Sequence, residues 1–341
     1  MYYYYLKNSA DTVPILLLLL FSLTVTLQFQ AKTVALPGSS CLKRCGDVDI
    51  VYPFGIGTGC AMKGFELSCN KKDGRNITMV FGEIPVLNIL LLNGQVRIMK
   101  HISTMYSLSR KKVEYEYWGQ DLSNTPFTYS GESNKFTVVG INTLAYISDD
   151  TVSRLYVHGC VSRCSPYNNL TAQDGECSGA GCCQVTLTKD MSNDYVRFDW
   201  QYNTTDFYTN RSTRDRAEYQ GYATIMESNT FRFNTAYLNT RALSNEHDGR
   251  VPAILNWVVG NQTCDVASKK SDSYACLSTN SKCINSSSGS GYLCNCTKGY
   301  QGNPYLPDGC QGQYCKYTFR LMRINTIKNT SKEYIIQHFM S

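Results

Sequence analysis

Apolar and polar residues alternate with a period of two along much of the chain, the signature of half-buried strands. Val113, Tyr115 and Tyr117 alternate with Glu114, Glu116 and Trp118; Val196, Phe198, Trp200 and Tyr202 alternate with Arg197, Asp199 and Gln201. Residues 95–102, 135–147, 154–158 and 230–238 read as further strands, with Gly, Asn and Asp between them. Helical spacing is confined to short stretches such as 214–226. The 25 tyrosines suit pleated, half-buried surfaces. The pattern predicts a mainly β protein.

The first residues follow different logic. Lys7 precedes a thirteen-residue apolar run, Ile15 to Leu27, that is short for a bilayer span, and Thr33-Val34-Ala35 offers a cleavage site. Residues 1–35 therefore read as a signal peptide, the alternative being an uncut anchor. Later apolar runs, 86–92 and 251–259, are core-sized, so no membrane span is expected after cleavage. The 16 cysteines and eight N-glycosylation sequons agree with an oxidising, extracellular destination. The sequons are Asn76, Asn169, Asn203, Asn210, Asn261, Asn285, Asn295 and Asn329; Asn295, wedged between Cys294 and Cys296, is the one set aside as a glycan acceptor.

Charge narrows the ligand class only a little. Loss of Lys7, Lys32 and Asp11 with the leader leaves 31 basic and 26 acidic residues, a formal charge of +5. The basic residues are clustered: Lys43-Arg44, Lys71-Lys72 with Arg75, Arg110-Lys111-Lys112, then Arg211, Arg214 and Arg216. Such a balance permits an acidic ligand without demanding one. Nucleic acid is excluded by compartment and by the lack of any nucleic-acid motif. Enzymatic chemistry has no motif either: no Gly-x-Ser-x-Gly elbow accompanies the four histidines, and no recognisable carboxylate pair marks a glycosidase. No cofactor or metal is expected, because in an oxidising compartment Cys160-x3-Cys164 and Cys182-Cys183 are disulfide partners before they are zinc ligands. The adjacent Cys182 and Cys183 are expected to bridge to two different partners.

Two cysteine patterns carry a resemblance. The first runs Cys41-x3-Cys45-Gly46-x5-Tyr52-Pro53-Phe54-Gly55-x4-Cys60-x8-Cys69, with Gly59 before Cys60 and Phe65-Glu66-Leu67-Ser68 before Cys69. The second is a six-cysteine ladder, Cys264, Cys276, Cys283, Cys294, Cys296 and Cys310, in which Gly299-Tyr300 follows the one-residue gap. Between them lie Val138-Val139-Gly140, His158-Gly159-Cys160 and Gly181-Cys182-Cys183-Gln184. In this order they resemble the extracellular region of plant wall-associated receptor kinases across about residues 41–310. The resemblance implies a galacturonan-binding-like cysteine-rich domain over 36–105, a β-rich segment over 106–260, an EGF-like domain over 261–310 and a divergent basic tail over 311–341. It also implies ladder bridges Cys264–Cys283, Cys276–Cys294 and Cys296–Cys310, since spacing alone leaves fifteen pairings for six cysteines.

The implied ligand is the acidic, galacturonan part of pectin, a linear polyanion. Expected contacts are Lys43, Arg44, Lys71, Lys72 and Arg75, with Tyr52 and Phe54 in the neighbouring turn (the alternative for these two being a packed turn within the cysteine cluster), and Arg110, Lys111 and Lys112 as a second group. The competing expectation is a protein-interaction or decoy module that meets receptor ectodomains or secreted peptides through the EGF-like domain, without sugar affinity. Three departures from the family pattern stand out. Ile141 occupies a place commonly held by cysteine, which leaves nine cysteines ahead of the ladder and one unmatched, with Cys315 a possible partner. The stretch Gln311-Gly312-Gln313-Tyr314-Cys315 lacks the carboxylates of a calcium-binding repeat. Kinase motifs are also missing, so the expectation is a truncated, secreted ectodomain.

Overall fold

The computed structural model of the chain describes residues 38, 40–109, 112–148, 156–164, 172–199, 219–270, 273–287 and 290–312. Strands dominate them. A small hairpin, β1 (Arg44–Cys45) and β2 (Val48–Asp49), precedes β3 (Gly55–Ile56), β4 (Glu66–Lys72), β5 (Arg75–Val80), β6 (Ile84–Leu90) and β7 (Gln95–His101). Next come β8 (Ser103–Ser109), β9 (Lys112–Glu116), β10 (Phe127–Tyr129), β11 (Asn134–Gly140), β12 (Thr143–Ser148) and β13 (Tyr156–Ser162). The chain continues with β14 (Cys182–Thr186), β15 (Tyr195–Phe198), β16 (Tyr219–Glu227) and β17 (Arg250–Trp257). The ladder supplies β18 (Ser281–Asn285), β19 (Tyr292–Cys296), β20 (Tyr300–Gly302) and β21 (Cys310–Gly312). The fold is mainly β and disulfide-rich, with seven bridges among the described residues.

The strands form a seven-stranded sheet ordered β10-β17-β7-β6-β5-β4-β3, a five-stranded sheet ordered β14-β11-β16-β8-β9, and a three-stranded sheet ordered β13-β12-β15. The largest sheet takes strands from both sides of the boundary placed at 105/106, because β17 pairs with β7 and β10 pairs with β17. That boundary therefore does not separate two cores. Phe54, Phe65, Phe127, Trp257 and Tyr305 pack in one apolar cluster, with ring centroids of Phe54 and Phe65 5.2 Å apart and those of Trp257 and Tyr305 5.7 Å apart. Tyr305 belongs to the EGF-like ladder. Asn303 Nδ2 also donates to the Tyr52 carbonyl at 2.7 Å, and Val259 exchanges backbone bonds with Tyr292. The segment holding the six-cysteine ladder thus closes the core beneath the large sheet.

Two strand expectations and one helical one need correction. The run 135–147 is two strands, β11 and β12, because Asn142 takes a left-handed φ of 48° and the chain turns into a different sheet. The run 230–238 is not a strand: Thr235–Leu238 is a 3-10 turn, capped by the Asn234 side chain accepting from Ala236 N at 2.8 Å. Phe233 and Tyr237 are both two-fold and four-fold spaced, and the capping asparagine decides between the readings. The helix suggested over 214–226 is instead β16 from Tyr219 onward. It lies between β11 and β8, and a strand buried on both faces loses the alternation that would have revealed it.

Candidate functional site

The basic residues nearest the amino terminus converge through one disulfide. Cys45 of β1 bridges to Cys69 of β4 with a Cα separation of 5.9 Å, and the Cys45 carbonyl accepts the Thr78 hydroxyl of β5 at 2.9 Å. Gly46, at φ 57°, sits where any Cβ would collide with the Asn76 carbonyl, so the β1–β2 hairpin lies directly on β5. The β4–β5 hairpin turns through Asp73 and Gly74, both left-handed at φ 50° and 80°, the geometry that a two-residue Asp-Gly loop supplies. Its register pairs Lys72 with Arg75 and Lys71 with Asn76. Lys43, Arg44, Lys71, Lys72 and Arg75 are all exposed along this margin. Two of them already have acidic neighbours: Arg44 Nε lies 3.6 Å from Asp49, and Lys72 Nζ lies 3.1 Å from Asp248.

Tyr52 and Phe54 are placed elsewhere. Phe54 is 1% exposed and Tyr52 7%, with Phe54 edge-on to Trp257 at 5.6 Å. Expected to offer ring faces to a sugar, both are committed to the core, because the turn points them under the sheet where Phe65 and Phe127 complete an aromatic cluster. Burial raises the Tyr52 phenol above its ordinary pKa. Arg110 and Lys111 lie outside the described residues, and Lys112 opens β9 opposite Ser109.

A further group was not visible in the sequence. Arg250, first residue of β17, pairs in register with His101, last residue of β7, and its Nε donates to His101 Nε2 at 3.1 Å. Trp118 stacks flat on the imidazole, centroids 3.9 Å apart at 9°. Ser103 Oγ fixes the tryptophan backbone, accepting from Trp118 N at 2.9 Å and donating to Trp118 O at 3.2 Å. Partial burial, then Arg250, Lys100 and Lys72, push the His101 pKa down to about 4, so the ring is a neutral acceptor. Close by, Lys100 and Asp194 form a buried ion pair. Asp194 Oδ1 also accepts Gln120 N at 2.7 Å and the Tyr129 hydroxyl at 3.1 Å, which anchors the segment carrying Trp118. No spacing rule links positions 72, 101, 118 and 250.

The remaining predicted features fall as follows. Cys41 bridges Cys60, Cys160 bridges Cys183 and Cys177 bridges Cys182, so the adjacent pair does go to two partners. The ladder bridges are Cys264–Cys283, Cys276–Cys294 and Cys296–Cys310. Cys164 has no partner among the described residues and packs against the same apolar cluster as Ile141, while Cys315 lies outside them. Asn76, Asn261 and Asn285 are exposed; Asn169, Asn203, Asn210 and Asn329 lie outside the described residues. Asn295 is half-buried, its Oδ1 shut off from solvent. Among the described residues, no group of His, Cys, Asp and Glu could hold a metal ion, and no helix is long and apolar enough to cross a membrane.

Comparison with known proteins places these observations. Residues 41–100 match the wall-associated receptor kinase galacturonan-binding family. Across 81% of its length the chain is 35% identical to wall-associated receptor kinase 2 of Arabidopsis thaliana and 33% identical to wall-associated receptor kinase 1. Over 86% of its length it is 33% identical to wall-associated receptor kinase 5 of the same plant. It spans only 35–37% of the length of these relatives. No solved structure matches. Residues 41–100 thus carry the galacturonan-binding module of the wall-associated receptor kinase family, and the chain is similar to members of that family over 81–86% of its length.

Proposed function

We propose that this chain is an extracellular, cell-wall-associated binding protein for acidic pectin, and that it holds galacturonan along the margin where the β1–β2 hairpin lies on the β4–β5 hairpin. One observation carries the reading: Lys43, Arg44, Lys71, Lys72 and Arg75 gather around the Cys45–Cys69 bridge, inside the segment matching the galacturonan-binding family. A polyanion with one carboxylate per sugar is matched by cations spaced along a surface, arginine offering two parallel donors and lysine a point charge. The role proposed is binding. Seven bridges support an oxidising, extracellular location.

The test is titration of the secreted protein with de-esterified oligogalacturonide, with methyl-esterified pectin as control, at low and high salt. Binding to the acidic form alone, weakening as salt screens exposed charges, is the expected result. The triple variant Lys71→Glu, Lys72→Glu, Arg75→Glu should lose at least about tenfold in affinity, roughly 1.4 kcal/mol. Equal binding to both pectins, or none by folded protein, would overturn the reading and turn attention to a protein partner at the EGF-like part, where Val266, Ile284 and Tyr300 are exposed.

A further inference from the structure

We propose that Trp118, backed by His101 and flanked by Arg250, is a sugar-ring platform: the indole takes the C–H face of one galacturonate residue while the Arg250 guanidinium takes its carboxylate. This deepens the pectin reading and rests on it. Three features single the site out. First, Trp118 keeps 36% of its surface exposed, whereas Trp257 keeps 1%. A large ring left partly in water offers a flat apolar surface that a ligand can cover. The imidazole covers one indole face at 3.9 Å, so the exposed surface is the opposite face and the ring edge. The negative potential over an aromatic face attracts the positively polarised C–H groups on the flat side of a pyranose ring.

Second, the ring is held in place before any ligand arrives. Ser103 Oγ grips both the N–H and the carbonyl of Trp118, at 2.9 and 3.2 Å. Asp194 holds the Gln120 N–H two residues on at 2.7 Å, and His101 fills the space beneath the indole. Little side-chain freedom remains to be lost on binding, which is the cost that usually weakens surface contacts.

Third, the charge is complementary to a uronate and is aimed by the neutral histidine. Arg250 uses Nε, one of its five N–H donors, on His101, which holds the guanidinium at the edge of the imidazole on which the indole stacks. The local carboxylate, Asp248, is answered by Lys72 at 3.1 Å. Lys72 belongs to the basic margin at the tip of β4–β5, so the platform continues that margin across to the start of β17. A chain of acidic sugars lying on the margin would reach the indole next.

The experiment compares wild type, Trp118→Ala and Trp118→Phe in titrations with de-esterified oligogalacturonide, together with tryptophan emission. Loss of one stacked contact should weaken binding about tenfold in Trp118→Ala, while Trp118→Phe retains most of the affinity. In a Trp200→Phe background emission should change on saturation, and that change should vanish when Trp118→Phe is added, because the remaining emitter, Trp257, is buried. Unchanged affinity in Trp118→Ala, with an emission change that survives Trp118→Phe, overturns the platform alone if the triple charge reversal still abolishes binding. Failure of wild type to bind galacturonan overturns both proposals. Retained thermal midpoints in both variants would exclude misfolding as the cause of any loss.

Discussion

Replacing Lys100 by methionine should destabilise the protein in a pH-dependent way, and the structure fixes both the size and the sign. Lys100 is 6% exposed and its ammonium pairs with Asp194, whose side chain is fully enclosed. Burial raises the Asp194 carboxyl above its ordinary pKa, and Lys100 is the main opposing influence. Lys100→Met fills most of the same volume but leaves the carboxylate without its cation. Breaking one side of a buried pair costs about 3–5 kcal/mol, because an uncompensated charge stays inside. The carboxyl escapes by holding a proton, so its folded pKa rises further above the unfolded value of about 3.9. A group with a raised folded pKa favours the native state below the unfolded pKa, and that advantage is lost as pH rises toward the folded pKa. The variant should therefore match wild type up to wild type's own raised Asp194 pKa and fall behind by about 1.4 kcal/mol per pH unit above that, until the variant's still higher folded pKa is reached. Guanidinium unfolding of the disulfide-intact protein, followed by near-ultraviolet circular dichroism at pH values of about 4.5, 5.5 and 6.5, reads this directly. A deficit below about 1 kcal/mol, or one equal at all three pH values, would refute the reasoning.

Two further predictions concern neighbouring features. The His101 pKa is lowered from its ordinary value to about 4, so the unfolded chain binds a proton that the folded chain refuses. Stability should then fall as pH drops from about 6.5 toward about 4, by about 1 kcal/mol once solvent screening of this part-exposed ring is allowed for; His101→Gln should flatten that part of the profile of thermal midpoint against pH. Ile141→Cys should close a bridge to Cys164, since both side chains pack on one cluster and Ser162 Oγ already reaches the Gly140 carbonyl at 2.7 Å. Thiol titration of the denatured protein should show one free thiol fewer than wild type, and an additional free thiol would disprove the proximity.

The chain announced its class and much of its framework. Alternation around Val113 and Val196 pointed to strands, and β9 and β15 are there, because period-two burial is a local consequence of the pleat. The Asp73-Gly74 dipeptide carries its own turn geometry, so Lys72 and Arg75 were bound to face each other wherever the hairpin went. What local pattern could not carry was which strand lies beside which. Arg250 meets His101 only because β17 returns across 149 residues to pair with β7, and Lys72 meets Asp248 across 176. The turn at Tyr52-Pro53-Phe54 read either as a packed turn or as a ligand contact, and only Phe127, Trp257 and Tyr305, arriving from three distant segments, decide for packing. β16 hid for the same reason, as a strand whose residues 220–226 are all buried, on both faces, has no polar face to alternate with. Spacing determined turns and half-buried strands, whose physics is local, and the ladder bridges followed from the family resemblance; the Trp118 platform and the shared core came from long-range pairing, which only the folded chain decides.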